Sequence, residues 1–531
     1  MQKHFSGIDW VVLVIYFLGT MSIGFYFYRK SRSREGFTTA GRALPGWVCG
    51  LSIFATYLSS ISFLALPGKS YATNWNPFVF SLSLPVATWI AVRFFLPYYR
   101  KTGEVSAYAH LEHRFGAWAR MYASFFYILT QLARIGVVMY LMALPLSILL
   151  GCDIRIIIVI TGISVTVYSF VGGIVAVIWT DALQAIILMI GAAVCALLIL
   201  FNMPQGPQQV FQVAAENHKF SLGSFGSSFT ESTFWVVLIY GIIINLQNFG
   251  IDQSYIQRYI SSKNDTEARK SVWLGGLLYL PVSAIFFFIG TGLFAFYQAH
   301  PKDLSHIRQQ VAEQQLLQEK IDSNHEDYSS QVHERASSIT DTEIGDRVFP
   351  YFIGSMLPVG IRGLLVAAIF AAAMSTISTS LNSSATLIAS DWYQRYMNPN
   401  ASEKKFMSAL YTATILWGVL GTGLSLLLIN VTSALDAWWI LSGILGGGML
   451  GLFLLGLISR KANNPIAATA VILGLLLIAW MTMSPRMKSW PDSLQSHFHA
   501  FLIPVFGTLT ILITGLLLQF IFRPKQKHCN Q

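Results

Sequence analysis

The chain has 531 residues, 54% of them hydrophobic and only 11% charged. Soluble globular proteins carry about a quarter charged residues, so this composition excludes an ordinary soluble enzyme and places the chain in a lipid bilayer. The net charge of +10 would suggest nucleic acid in a soluble protein. Here the basic residues sit beside the ends of apolar stretches, where they report topology, and no nucleic-acid partner is expected.

A spanning helix needs roughly 20 mostly apolar residues. About thirteen such stretches follow one another, at 9–28, 46–67, 77–98, 119–150, 155–174, 179–202, 233–256, 271–299, 360–392, 405–430, 433–459, 464–484 and 498–522. An all-α integral membrane protein is therefore expected. The first stretch follows MQKHFSGID and ends in Tyr28-Arg29-Lys30. A signal peptide carries its basic residues before the apolar core, so this reads as a true span. With the loop behind it, it forms an extra N-terminal unit, 1–45.

The second span reads WVCGLSIFATYLSSISFLALPG, with small and hydroxyl residues at its centre. The seventh reads FWVVLIYGIIINLQNFGIDQSYIQRY, where Asn245, Gln247, Asn248, Gly250, Asp252 and Gln253 interrupt the apolar run. Polar, glycine-bearing interruptions at membrane depth are tolerated only where backbone lines a cavity or is buried in protein, so both helices are expected to be broken. They stand five spans apart. Spans two to six (46–202) and seven to eleven (233–459) then form two repeats, the arrangement that in transporters puts a binding site at the repeat interface. Kinked helices are common for other reasons, and spacing alone leaves both readings open.

The connector 203–232 and the segment 300–359 carry few or balanced charges, as suits translocated loops. Within the latter, HIRQQVAEQQLLQEKIDSNHEDYSSQVHER is expected as a polar surface helix, with His306, His325 and His333 solvated rather than metal-bound. Basic residues concentrate after alternate spans: Arg29 to Arg42, Arg100 to Arg120, Arg258 to Lys270, Arg395 to Lys405, Arg460-Lys461, and Arg523 to Lys527. This pattern puts the N-terminus outside, and residues 460–531 end in a basic cytoplasmic tail. The four cysteines lack metal-ligand spacing. Trp438 and Trp439 read as packing or interfacial anchors.

An ionisable residue deep in a span is a functional candidate by default. Arg134 sits mid-span in FFYILTQLARIGVVMYLMALPLSILL, where its guanidinium pairs either with protein groups or with the carboxylate of a bound solute. Asp181 opens span six in GGIVAVIWTDALQAII, one turn from Gln184. It suits a hard cation, or alternatively the positive end of the helix it begins. Span nine, AAAMSTISTSLNSSATL, places Ser375, Ser378 and Thr379 on one face, giving either neutral oxygens for a monovalent cation or simply small residues for close helix packing.

Taken together, GGIVAVIWTDALQ, FGIDQSYIQRY and AAAMSTISTSLNSSATL resemble the sodium:solute symporter family over roughly residues 8 to 484, most nearly its bacterial sialic acid transporters. The resemblance implies a leucine-transporter-like 5+5 inverted repeat with two broken helices. It also implies a first sodium site from the carbonyls of Ala55, Leu58 and Ala372 with the hydroxyls of Ser375 and Thr376. A second sodium site follows from Asp181, Ser378 and Thr379, and a solute site from Arg134, Ser59 and Ser62. Tyr57 lies in the solute site where relatives carry a smaller hydroxyl residue. The expected activity is sodium-coupled uptake of a small carboxylated solute, sialic acid first, by a monomer in a bacterial inner membrane. Another monocarboxylate, a vitamin acid, a sugar, an amino acid, or a transporter-like sensor are the alternatives. No enzymatic site is expected.

Overall fold

The computed structural model describes residues 5–319, 327–430, 446–487 and 490–521; Trp438, Trp439, Cys529 and residues 433–445 of the predicted eleventh span lie outside the described residues. Every regular element among the described residues is helical. Ten helices are long and apolar enough to cross a membrane, or eleven with one bent pair taken as a single span.

Helix α1 spans Gly7–Tyr26. A capping box formed by Ser6 and Asp9 fixes its start, each satisfying a backbone N–H of the other's turn. The second predicted span is indeed broken into α2 (Gly46–Tyr57) and α3 (Ser60–Ala72), bent by 55°. A helical span α4 (Asn76–Thr102), a short α5 (Ala109–Phe115) and α6 (Ala117–Leu150) follow. Helix α7 runs unbroken in hydrogen bonding from Ile154 to Phe201, but Gly173 sits at φ 52°, ψ −155° within it. Its 48 residues would rise about 72 Å if straight, more than twice the hydrocarbon thickness, so the chain must turn at Gly173. A Cβ there would lie 2.7 Å from the ring of Phe37, and only glycine meets both demands.

After the short α8 (Gln208–Glu216), α9 (Phe234–Ile251) and α10 (Gln253–Ser261) are separated by extended Asp252 (φ −74°, ψ 122°). The second expected break therefore falls at one acidic residue, which caps α10. Helix α11 covers Asp265–Ala299. The polar segment forms α12 (Pro301–Gln318) and α13 (Tyr328–Ser338), with a third helix, α14 (Asp341–Ser355), that hydropathy had not separated from loop. Helix α15 (Ile361–Leu387) continues in wider turns to Met397 and is the most enclosed of the membrane-length helices. Helices α16 (Glu403–Leu427), α17 (Met449–Ile458), α18 (Asn464–Met483) and α19 (Leu502–Ile521) complete the described chain.

The core lies where α1, α2, α3, α6, α7, α10 and α16 surround α15. Two contacts fix the half-helix α3. Gly68 approaches Gly345 of α14 so closely that a Cβ on Gly68 would lie 2.8 Å from the Gly345 carbonyl oxygen, and a Cβ on Gly345 equally close to that of Gly68. Lys219, only 5% exposed, donates from Nζ to the carbonyls of Tyr71 (2.6 Å) and Thr73 (3.1 Å) and stands 3.7 Å from the centre of the Phe294 ring. A cation at the carbonyl end of a helix complements its dipole.

Candidate functional site

The break between α2 and α3 releases the last carbonyls of α2 from helical bonding. Leu58 is extended at φ −91°, ψ 103°, and Ser59 at φ −91°, ψ 168°. Ser59 caps α3, its hydroxyl accepting from the Ser62 N–H at 3.3 Å and lying 3.4 Å from the Ser62 hydroxyl. Serine suits this place because its oxygen replaces a missing helical acceptor. Ala55 and Leu58 are buried at the break.

Helix α15 faces this break. Every residue from Leu365 to Leu387 is buried, so the helix's hydroxyls have only each other, its neighbours or an ion as partners. Thr376 Oγ1 donates to the Ala372 carbonyl (3.1 Å) and Ser378 Oγ to that of Ser375 (3.1 Å). The two elements meet at Thr56 and Thr379, whose hydroxyls stand 3.2 Å apart. Ser375 Oγ has no hydrogen-bond partner among the described residues. A buried unpartnered hydroxyl costs about 1–3 kcal/mol, and a coordinated cation removes that cost.

Asp181 lies beside the same hydroxyls, 0% exposed. Its Oδ2 accepts from Ser52 Oγ (2.6 Å) and from Arg258 Nη2 (2.7 Å), while the same Nη2 donates to Thr379 Oγ1 (2.6 Å). Arg258 also donates to Ser52 Oγ (2.6 Å) and to the Ser254 carbonyl (2.5 Å). The reading of Arg258 as a topology-marking loop charge is therefore corrected: all nine residues of α10 are buried, and its guanidinium neutralises Asp181 inside the bundle. The hydropathy of FGIDQSYIQRY concealed this, because a polar half-helix buried behind a break has the composition of a loop. Asp181 Oδ1 and Gln184 Oε1, one helical turn apart, remain without partners among the described residues. With Ser375 Oγ they form an open set of buried oxygens of the kind a hard monovalent cation takes. The residues present thus fit sodium.

On the other side of the break, Arg134 is half-buried and donates from Nη2 to the Thr56 carbonyl at 3.2 Å. No acidic partner faces it among the described residues. Tyr57 turns toward α9: its hydroxyl donates to Asn245 Oδ1 and its ring packs edge-on to Tyr279 at 4.4 Å. Asn245 in turn donates to Ser83 Oγ (2.8 Å). Asp252, at the second break, caps Ser254 (2.8 Å) and accepts from Tyr127 (3.1 Å), which also donates to Ser383 on α15 (3.0 Å). The structure thus gathers Ser59, Ser62, Arg134 and Tyr57 around the first break, and Asp181 and Thr379 around Arg258.

The family profile for the sodium:solute symporter family matches residues 37–474. The chain belongs to that family. The symporter is similar to the sodium/sialic acid symporter NanT of Aliivibrio fischeri, 32% identical over 98% of this chain and 94% of that protein. It is 30% identical to the sodium/sialic acid symporter SiaT of Proteus mirabilis, over 99% and 98% of the two chains. Sodium-coupled monocarboxylate transporter 2 of Mus musculus is 28% identical over 92% of this chain and 74% of its own length. Among solved structures, a substrate-bound outward-open state of a Na⁺-coupled sialic acid symporter superposes with TM-score 0.83 at 28% identity, covering 98% and 99% of the chains. The nucleobase-cation symporter Mhp1, at TM-score 0.51 and 14% identity, shares the fold alone. Membership makes this a sodium-coupled membrane transporter, not an enzyme.

Proposed function

We propose that the symporter imports a sialic-acid-like anion with two sodium ions by alternating access. The observation that carries the solute class is Arg134. It is a guanidinium at mid-span with no acid opposite it among the described residues, anchored through one donor to the unwound carbonyl of Thr56. Its remaining donors suit a carboxylate bidentately. Ser59 and Ser62 offer hydroxyls at the same break, and Tyr57 closes the side toward α9. Sodium ions are assigned to Ala55, Leu58, Ala372, Ser375 and Thr376, and to Asp181, Ser378 and Thr379. The open oxygens of Ser375 and Asp181 support both assignments.

Breaks at Leu58–Ser59 and Asp252 in corresponding spans support an inverted 5+5 repeat within thirteen spans. The turn at Gly173 supplies one division that helix length alone leaves uncounted. The N-terminus then faces outside and the C-terminus the cytoplasm of a bacterial cell, with the protein working as a monomer. NanT and SiaT support sialic acid by their names. The mouse relative supports a simpler monocarboxylate as second reading, which a competition panel separates.

Two cations with one anion carry net charge, so a membrane potential drives uptake by about 2.3 kcal/mol per charge per 100 mV. In proteoliposomes, sialic acid uptake should require external sodium and produce an inward current. Uptake without current refutes the two-sodium stoichiometry. Failure of sialic acid to raise thermal stability in sodium, while a monocarboxylate does so, refutes the solute.

A further inference from the structure

One part of α15 has no role in the sites above. Asn382 stands three residues after Thr379 and four before Thr386, so the three share one helix face. Helix α10 meets that face at both ends, with Arg258 Nη2 on Thr379 (2.6 Å) and Gln257 Nε2 on Thr386 (2.9 Å). Asn382 therefore faces α10 between those contacts. It is 1% exposed, and neither its Nδ2 nor its Oδ1 has a hydrogen-bond partner among the described residues. Gln257, equally buried, leaves its Oε1 without one.

Three orphaned amide atoms at one helix contact are an expensive arrangement unless water or an ion occupies the space. An apolar pair would close the same gap at no such cost. Their position says which. By helical rise, Asn382 lies about 10 Å beyond Ser375 along α15. Further on, in the wider turns beyond α15, Asp391 joins a network with Arg120 (2.6 Å), Ser106 (2.7 Å) and Ser390 (2.8 Å). The amides thus stand between the sodium oxygens and the end of the bundle assigned to the cytoplasm. Arg258, the nearest cation, is already neutralised by Asp181, so a passing cation meets no uncompensated charge.

We infer that Asn382 and Gln257 form a hydrated relay of neutral oxygens through which sodium leaves the Asp181 site for the cytoplasm. The inference rests on the sodium-symport reading above. It separates two processes: sodium binding from outside does not need the relay, whereas sodium release inside does.

The test compares net uptake into sodium-free proteoliposomes with solute exchange at saturating sodium on both sides. Asn382→Leu fills the space with an apolar side chain of similar size; Asn382→Ala removes the amide without bulk, in case the first variant does not fold. Both should leave the sodium midpoint for thermal stabilisation within about twofold of wild type and exchange within about threefold. Net uptake should slow at least about tenfold, the cost of one lost ion–dipole contact on the release path. Asn382→Ser, which restores an oxygen, should recover most of the net rate. Equal slowing of uptake and exchange, or no slowing of either, overturns the relay. Absence of any sodium-dependent stabilisation in wild type would instead overturn the symport reading.

Discussion

The buried pair of Arg258 and Asp181 offers a sharp test of the proposed second sodium site. Arg258→Met keeps the length and apolar stem of the side chain while removing its charge. The nitrogen and oxygen are 2.7 Å apart with both side chains fully enclosed. With charge centres about 4 Å apart, the attraction is about 4 kcal/mol at an effective dielectric of 20. Ser52 and Thr379 lose a partner as well. A carboxylate stranded in this way typically costs about 3–5 kcal/mol. In detergent, chemical or thermal denaturation in choline chloride should show a loss of that size. Sodium supplies the missing charge at Asp181, so the loss should shrink by at least half in sodium chloride, and the stabilisation by sodium should exceed that of wild type. Asp181→Asn in the same chain should restore stability without sodium, since no net charge is then buried. A single variant as stable as wild type in choline, or a loss indifferent to sodium, would refute the coupling of this pair to the cation.

Arg134→Lys should weaken solute binding roughly 10- to 100-fold by titration calorimetry, since a point charge cannot reproduce the fork; unchanged affinity removes Arg134 from the site. Ser375→Ala should raise the sodium midpoint for thermal stabilisation about tenfold, yet increase sodium-free stability by about 1–3 kcal/mol, because it removes a buried hydroxyl that has no hydrogen-bond partner among the described residues. His110, against Tyr98 (2.9 Å), is held neutral by burial, which pushes its pKa down to about 4. The unfolded chain protonates near 6.5 while the folded one does not, so stability falls as pH drops through that interval. Between pH 7 and 5 the loss attributable to His110 is about 2 kcal/mol, and His110→Gln should flatten the slope of the melting temperature over that range. Gly345→Ala should cost about 1–3 kcal/mol by overpacking against Gly68, read as a lower unfolding midpoint.

Most of the fold was legible because lipid makes span length and polarity strict. The break at Leu58–Ser59 showed as hydroxyls in an apolar run, and the one at Asp252 as a cluster of amides and an acid. The hydroxyl face of α15 and the isolation of Arg134 were likewise visible as departures from a costly rule. Two things were not. Arg258 hid because a buried polar half-helix and a basic loop have the same composition, and only its ion pair with Asp181 distinguishes them. Helix α14 hid because it packs against α3 rather than against lipid, so its hydropathy is that of a surface segment. The turn at Gly173, by contrast, was legible as the division between the stretches 155–174 and 179–202. Tyr57 was legible as an oddity, but its orientation depends on Asn245, nearly two hundred residues away in the chain.

The meeting of Gly68 with Gly345 carries a consequence for related sequences. Neither position accepts a methyl group while the other backbone stays where it is, and Gly290 is pressed against the Pro67 carbonyl in the same way. A lineage that enlarges one of these three must withdraw its neighbour, loosening the seat of α3. Small residues here should therefore be inherited as a set, and a homologue that breaks the set should differ in how firmly α3 is held against α14 and α11.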